Sequence, residues 1–292
     1  MGVYSIKDLE KISGIKAHTI RIWERRYGVI EPQRSDTNIR KYSDTDLKRI
    51  INISILNQNG LKISKIACLS SEDLKQKVLD ICTDVDNSNV QIESMVVSML
   101  ELNESKFNEV LNNNISNIGF EAVVESILFP FLDRIGVLWQ TGTITPAQEH
   151  FISNLVRQKL IVAIDKHMDT PKNDKRITFF LPENELHEIG LLFYSLIARI
   201  DGYNVVYLGV SVPFEDIKQV NEIQKADVFF TSLVNAPTKK EINKILLRYT
   251  ESFPDTLLIV TGHQVKMHKN EIPDSIQVIS SSNEFRECLS NL

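Results

Sequence analysis

Pro182-Glu183-Asn184-Glu185-Leu186-His187-Glu188-Ile189-Gly190 is the stretch that decides the reading of this chain. Before it stands an apolar run, Ile177-Thr178-Phe179-Phe180-Leu181, with the length and composition of a buried parallel strand. After it, Leu191 to Ile200 has the spacing and length of a helix. A loop between strand and helix in an α/β sheet is where such folds hold their ligands. This loop carries one imidazole, an acid two residues before it and a glycine three after it. A metal-bound imidazole usually hands its second ring nitrogen to a carboxylate, and Glu185 or Glu188 is placed to accept it. Gly190 lets a large flat ligand approach the backbone. A lone His at such a turn is more often a cap or a solvent-facing residue, so the surrounding pattern has to carry the assignment.

That pattern continues downstream. Strand-like segments at about Ile177–Leu181, Val205–Leu208, Val228–Leu233, Leu257–Thr261 and Gln277–Ile279 alternate with helices beginning near Glu188, Pro213, Lys239, Lys266 and Asn283. The rhythm predicts, over residues 175–292, a parallel α/β sheet of flavodoxin-like (Rossmann-type) order covered on both faces. Glu185-x-His187-x-x-Gly190 resembles the cobalamin-binding signature, in which the acidic position is Asp or Glu. The resemblance implies that His187 is the lower axial ligand of cobalt. It also implies a slot for the cofactor's nucleotide tail, lined by Thr231 and Ser232 after the third strand and by Gly262 after the fourth. Gly262-His263 stands where that family has a Gly-Gly pair, which puts a side chain beside the tail.

Upstream, residues 88–168 read as a four-helix bundle with segments Val90–Leu102, Ser105–Asn112, Phe120–Trp139 and Pro146–His167. Thr145 and Gln148 form a capping box with Pro146 at the first helical position, which fixes Glu149 and His150 in the first turns of a helix. Trp139, nine intervening residues and then Glu149-His150 resemble the bundle signature of CarH-type regulators, the cobalamin-dependent light sensors of the MerR family. The resemblance implies that the bundle caps the upper face of adenosylcobalamin, with Trp139 against the adenosyl group and Glu149 and His150 close by. Gln140 stands where some of these sensors carry a His that takes over a cobalt position after illumination.

The first 75 residues have their own logic. Ser5 and Asp8 mark a helix start, Leu9 and Ile12 face inward, and Gly14 ends the helix. A second helix, Ala17 to Tyr27, turns Ile20, Trp23 and Tyr27 to a small core and stops at Gly28. His18, Arg21 and Arg25 then share another face, with Arg26 beside them. A polar segment carrying Arg34, Arg40, Lys41 and Tyr42 reads as a two-stranded wing, and Ser43 to Asp46 cap a third helix. The string Trp23-Glu24-Arg25-Arg26-Tyr27-Gly28, then Arg34, then Arg40-Lys41-Tyr42-Ser43, resembles the winged helix-turn-helix of MerR-type transcription regulators. The resemblance implies DNA near Arg21, Arg25 and Tyr27 and phosphate contacts from Arg34, Arg40 and Tyr42.

Charge agrees with a DNA-binding end. Residues 1–50 hold 11 Lys and Arg against 7 Asp and Glu, whereas the whole chain of 292 residues carries a net charge of −5. A basic end on an acidic body points to nucleic acid at one end only. Polar breaks at Asp84–Asn89 and Asp169–Lys175 separate the expected domains, 1–75, 88–168 and 175–292. Cys68, Cys82 and Cys288 are scattered and read as reduced thiols. With no apolar signal core and no run of ~18 apolar residues, the expected location is cytoplasmic. The expected function is a transcriptional repressor, not an enzyme, that binds operator DNA and assembles with itself as dimer or tetramer. Adenosylcobalamin holds the assembly and light undoes it. One competing reading keeps the regulator and gives it a degenerate effector domain acting through protein–protein contact, with His263 as its support. Another is a corrinoid enzyme or methyl carrier, which the arginine-rich winged helix and the lack of a ~250-residue substrate barrel argue against.

Overall fold

The computed structural model describes residues 3–34, 38–82, 88–140, 144–167, 172–235 and 239–290. The chain divides into two compact units, Met1–Leu155 and Val156–Leu292. Most of the first expected linker (84–87), part of the second (169–171) and the tip of the wing (35–37) lie outside the described residues.

The first unit opens with β1 (Val3–Tyr4), α1 (Ile6–Ser13) and α2 (Ala17–Tyr27), then the wing strands β2 (Gln33–Arg34) and β3 (Arg40–Ser43). β3 pairs antiparallel with both β1 and β2. α1 starts on the expected capping box: the Asp8 amide donates to Ser5 Oγ, and Asp8 Oδ2 accepts from the Ser5 amide. It ends at Gly14, whose φ of +71° is the left-handed conformation a helix stop favours. α3 (Asp44–Gln58) repeats the device with Ser43 and Asp46 and buries Leu47, Ile50, Ile51, Ile53 and Ile55. α4 (Ile63–Ile66) and α5 (Ser71–Cys82) follow.

The bundle helices are α6 (Ser88–Leu100), α7 (Glu104–Ile118), α8 (Phe120–Val123) running through a π turn at Val124–Leu128 into α9 (Phe129–Gln140), and α10 (Pro146–Asp165). α7 runs past the expected stop at Asn112. The Asn run does not break it because Asn114 points inward, its amide donating to Gln91 Oε1 at 3.1 Å and to the Val110 carbonyl at 2.7 Å. The π turn was not expected, and Pro130 accounts for it. A proline ring clashes with the carbonyl four residues back, and widening the turn just before it relieves that contact.

The second unit is the alternating α/β domain. In order it has β4 (Arg176–Pro182), α11 (Glu188–Ile200), β5 (Asn204–Val212), α12 (Phe214–Ile223), β6 (Val228–Ser232), α13 (Lys239–Ser252), β7 (Leu257–Thr261), α14 (His263–Met267), a 3-10 turn at Lys269–Glu271, β8 (Gln277–Val278) and α15 (Ser282–Ser290). The sheet is parallel throughout, in the order β5-β4-β6-β7-β8, which is the expected flavodoxin-like order. Phe179, Phe230, Tyr194 and Phe285 pack together on one face, and Phe180, Phe229, Phe214 and Tyr249 on the other. The order reverses between β4 and β6, so the crevice at their carboxyl ends is the place this topology offers a ligand.

Asn114 is the testable polar element of the first unit. Asn114→Ala should lower stability by about 1–3 kcal/mol, because a buried hydrogen-bonded amide is lost, as urea unfolding followed by circular dichroism would show.

Candidate functional site

His187 sits at the crevice, immediately before α11. Its side chain makes no helix cap. Instead Nδ1 lies 2.6 Å from Oε1 of Glu185, which removes the capping alternative. Glu185 is 3% exposed and collects donors on both oxygens. Oε1 also accepts from the amides of Leu186 and His187 at 3.0 and 3.1 Å. Oε2 accepts from the amides of Val234 and Asn235, both at 2.8 Å, on the loop after β6. Burial alone would raise this carboxyl, but the His187 side chain and the amides of Asn235, His187 and Val234 outweigh it and hold it down to about 2. Glu185 is therefore ionised at any physiological pH. It fixes the Nδ1–H tautomer, in which Nε2 carries the lone pair a metal would use. The imidazole side chain is 47% exposed.

Glu188, the other carboxylate considered for His187, is engaged elsewhere. Its Oε2 takes Nε of Arg157 at 2.7 Å and its Oε1 takes the Tyr207 hydroxyl at 2.9 Å. Neither partner was expected from sequence, since each lies far along the chain from Glu188.

The residues expected to line the slot converge on the same end of the sheet. A Cβ built on Gly190 would lie 4.0 Å from Ser232 Oγ, an ordinary contact that leaves the backbone there open. Thr231 is fully buried, and its Oγ1 has no hydrogen-bond partner among the described residues. A buried hydroxyl without a partner at a crevice mouth suits a ligand atom that would complete it. Gly262 is a backbone necessity: at φ +108°, a Cβ there would fall 2.3 Å from the Leu233 carbonyl oxygen. His263 begins α14 and is exposed. The carboxylate-oriented imidazole, the orphaned Thr231 hydroxyl and the open backbone at Gly190 fit a cobalamin held through its cobalt and its tail.

In the first unit, Trp139 ends α9 with 52% of its surface exposed, so it is no core aromatic. The expected capping box holds α10: the Thr145 amide donates to Gln148 Oε1, and the Gln148 amide to Thr145 Oγ1. Glu149 and His150 pair with each other, Nδ1 to Oε2, at 2.7 Å. Residues 141–143, between them and Trp139, lie outside the described residues.

On the winged helix, His18, Arg21, Arg25 and Arg26 are exposed, as are Arg34 and Lys41. Trp23 and Tyr27 are half-buried, and the Arg26 guanidinium lies 5.4 Å from the Tyr27 ring centre. Arg34 donates to Asn38 Oδ1 at the wing. Two residues expected at phosphates have a partner on α2. Tyr42 is 1% exposed, with its hydroxyl 3.4 Å from Glu24; burial, and then the Glu24 charge, push its phenol up to about 12. Arg40 turns Nε to both oxygens of Glu24 at 3.1 and 3.0 Å. Both residues brace the wing against α2, because a carboxylate on α2 offers a closer partner than solvent. Glu24 was missed as the recipient: in sequence it reads as one more charge between arginines.

Comparison with known proteins places two domains on the chain. Residues 4–72 match the model of the MerR HTH family regulatory proteins, and residues 91–163 match a B12 binding domain. The chain thus carries a MerR-type HTH domain near its N-terminus, followed by a B12-binding domain. It is 28% identical over 265 residues, 89% of this chain and 88% of the relative, to the HTH-type transcriptional repressor CarH of Myxococcus xanthus. It is 26% identical over 273 residues, 91% and 89% of the two chains, to the repressor CarA of the same organism. Among solved structures it shares the fold of a monomethylamine corrinoid protein from Methanosarcina barkeri, with a TM-score of 0.54 and 14% identity over 75% of this chain and all of that one.

Two outcomes test the site. Arg34→Ala should flatten the salt dependence of DNA binding by about 0.9 in log–log slope, whereas Arg40→Ala should weaken binding at unchanged slope, because its charge is already paired. Fluorescence anisotropy across a salt series separates the two. Gly262→Ala should destabilise the second unit by about 1–3 kcal/mol, while Gly190→Ala should leave melting within the ordinary range of surface changes, on the order of 0.5 kcal/mol.

Proposed function

We propose that this B12-sensing DNA-binding regulator is a repressor that uses adenosylcobalamin, assembles with itself on operator DNA in the dark, and is released by light. The observation that carries the reading is the Glu185–His187 pair at the crevice, an imidazole with its tautomer set by a buried carboxylate. His187 would hold the cobalt through Nε2. Thr231, Ser232 and the backbone at Gly190 and Gly262 would receive the tail. Trp139, with Glu149 and His150, would meet the upper face. When bound, the group supplies a cobalt–carbon bond that light breaks.

The chain's own residues supply the rest. Exposed Trp139 gives an apolar surface that an upper ligand would cover. A ligand that binds one state better shifts the population to that state, and loss of the differential contact shifts it back. On the DNA side, Arg21, Arg25 and Arg26 with His18 would face the groove from α2, near Tyr27, while Arg34 and Lys41 would meet phosphates from the wing. Gln140 stands in the sequence where some relatives of this kind carry a His, so a second imidazole on the cobalt after illumination would have to come from His150. We expect readier cofactor loss in this chain.

The test combines spectrum and size. Protein loaded with adenosylcobalamin in the dark should show the visible spectrum of imidazole ligation, and His187→Ala should lose it. Size-exclusion chromatography should show a larger species in the dark that shrinks on illumination. A wild-type spectrum in the variant would remove His187 from the metal, and an elution volume indifferent to cofactor and light would remove the switch.

A further inference from the structure

Arg134, on α9, does something no part of the site requires. One arm of its guanidinium, Nη1, pairs with Oε1 of Glu93 on α6, and the other, Nη2, donates to the Ile12 carbonyl in the last turn of α1. All three residues belong to the first unit. The last carbonyls of a helix have no partner within it, and a cation there also suits the helix dipole. Gly14-Ile15-Lys16, the turn that aims α2, follows at once. That turn is tied on its other sides as well: the Ala17 amide reaches Glu10 Oε2 at 3.3 Å, and Ser54 Oγ donates to the Ser13 carbonyl at 2.8 Å.

Glu93 makes the grip conditional. It is buried, its Oε2 has no hydrogen-bond partner among the described residues, and burial raises its carboxyl while Arg134 opposes the rise. A buried carboxylate compensated by a single cation is sensitive to that cation's position. Arg134 stands five residues before Trp139 on the same helix, about 7.5 Å along its axis. α9 therefore presents the exposed tryptophan at its end and holds the helix-turn-helix from its middle.

We propose that Arg134 couples the two: a shift of α9 driven at Trp139 loosens or tightens the grip on the Ile12 carbonyl and so re-aims α2. The proposal rests on the reading that Trp139 meets a ligand. Arg134 acts in this as a positioning residue, through Glu93 and the Ile12 carbonyl.

The experiment uses the full chain, adenosylcobalamin in the dark, and a duplex selected by the wild-type protein from a random pool. The readout is the ratio of DNA affinities with and without cofactor, beside the visible spectrum. Replacing the ion pair by apolar side chains, Arg134→Met with Glu93→Leu, preserves packing and avoids leaving a lone buried charge. The wild type should show a ratio of roughly 5–150, and the double variant should fall to within about twofold of one, with spectrum and cofactor affinity unchanged. By reciprocity, DNA should tighten cofactor binding in the wild type and not in the variant. If the double variant does not fold, Arg134→Lys decides: it can neutralise Glu93 but cannot span both partners, so its ratio should drop. A full wild-type ratio in whichever variant folds overturns the coupling role alone. A wild-type protein that takes up no cobalamin, or whose DNA affinity ignores it, overturns the regulatory reading and the coupling with it.

Discussion

The second unit depends on one carboxylate. Glu185 has left water, and nothing apolar offsets that cost. Two amides on its own loop, two amides on the loop after β6 and the ring of His187 supply the compensation. Because Val234 and Asn235 lie 49 and 50 residues away, the charge also closes the crevice across the point where the strand order reverses. A neutral residue of the same shape would keep some of these contacts and lose their strength, since amides bond an ionised oxygen about twice as well as a neutral one. The imidazole is thus held from a folded sheet and does not rely on its own short loop.

The same device recurs in the first unit. Glu24 gathers Arg40 and Tyr42 from the wing, 16 and 18 residues away, and Glu93 takes Arg134 from 41 residues away. In each case a shielded carboxylate joins segments whose relative position decides function. Hydrophobic burial gives these regions their compactness but is non-directional. The ion pairs specify which way the pieces face.

What the sequence disclosed follows from this division. Features set within one turn of chain were legible: both N-terminal capping boxes, the box at Thr145 and Gln148, the stops at Gly14 and Gly28, and the strand rhythm that gave the sheet order. So was Glu185-x-His187, because acid and imidazole are neighbours in sequence as well as in space. Features that depend on a distant partner were not. Arg40 and Tyr42 have the composition of a phosphate-binding wing, and only the fold reveals that Glu24 claims them. The Asn112–Asn114 run has the composition of a helix end, yet Asn114 finds Gln91 from the neighbouring helix and α7 continues. Arg134 and Glu93 gave no signal at all, being ordinary charges on helical faces until α1 packs beside them.

Gly262 and position 263 separate two demands that a paired glycine motif conflates. At Gly262 the backbone lies at φ +108° and the Leu233 carbonyl occupies the space a methyl group would need, so the fold itself penalises any other residue whether or not a ligand is ever bound. Position 263 opens a helix with its side chain exposed, so only a ligand could require it to be small. The first glycine is thus a mark of architecture and the second a mark of occupancy. Among chains of this fold, drift at the second position alone can track how each accommodates its tail, while drift at the first would signal that the packing of the loops after β6 and β7 has been rebuilt.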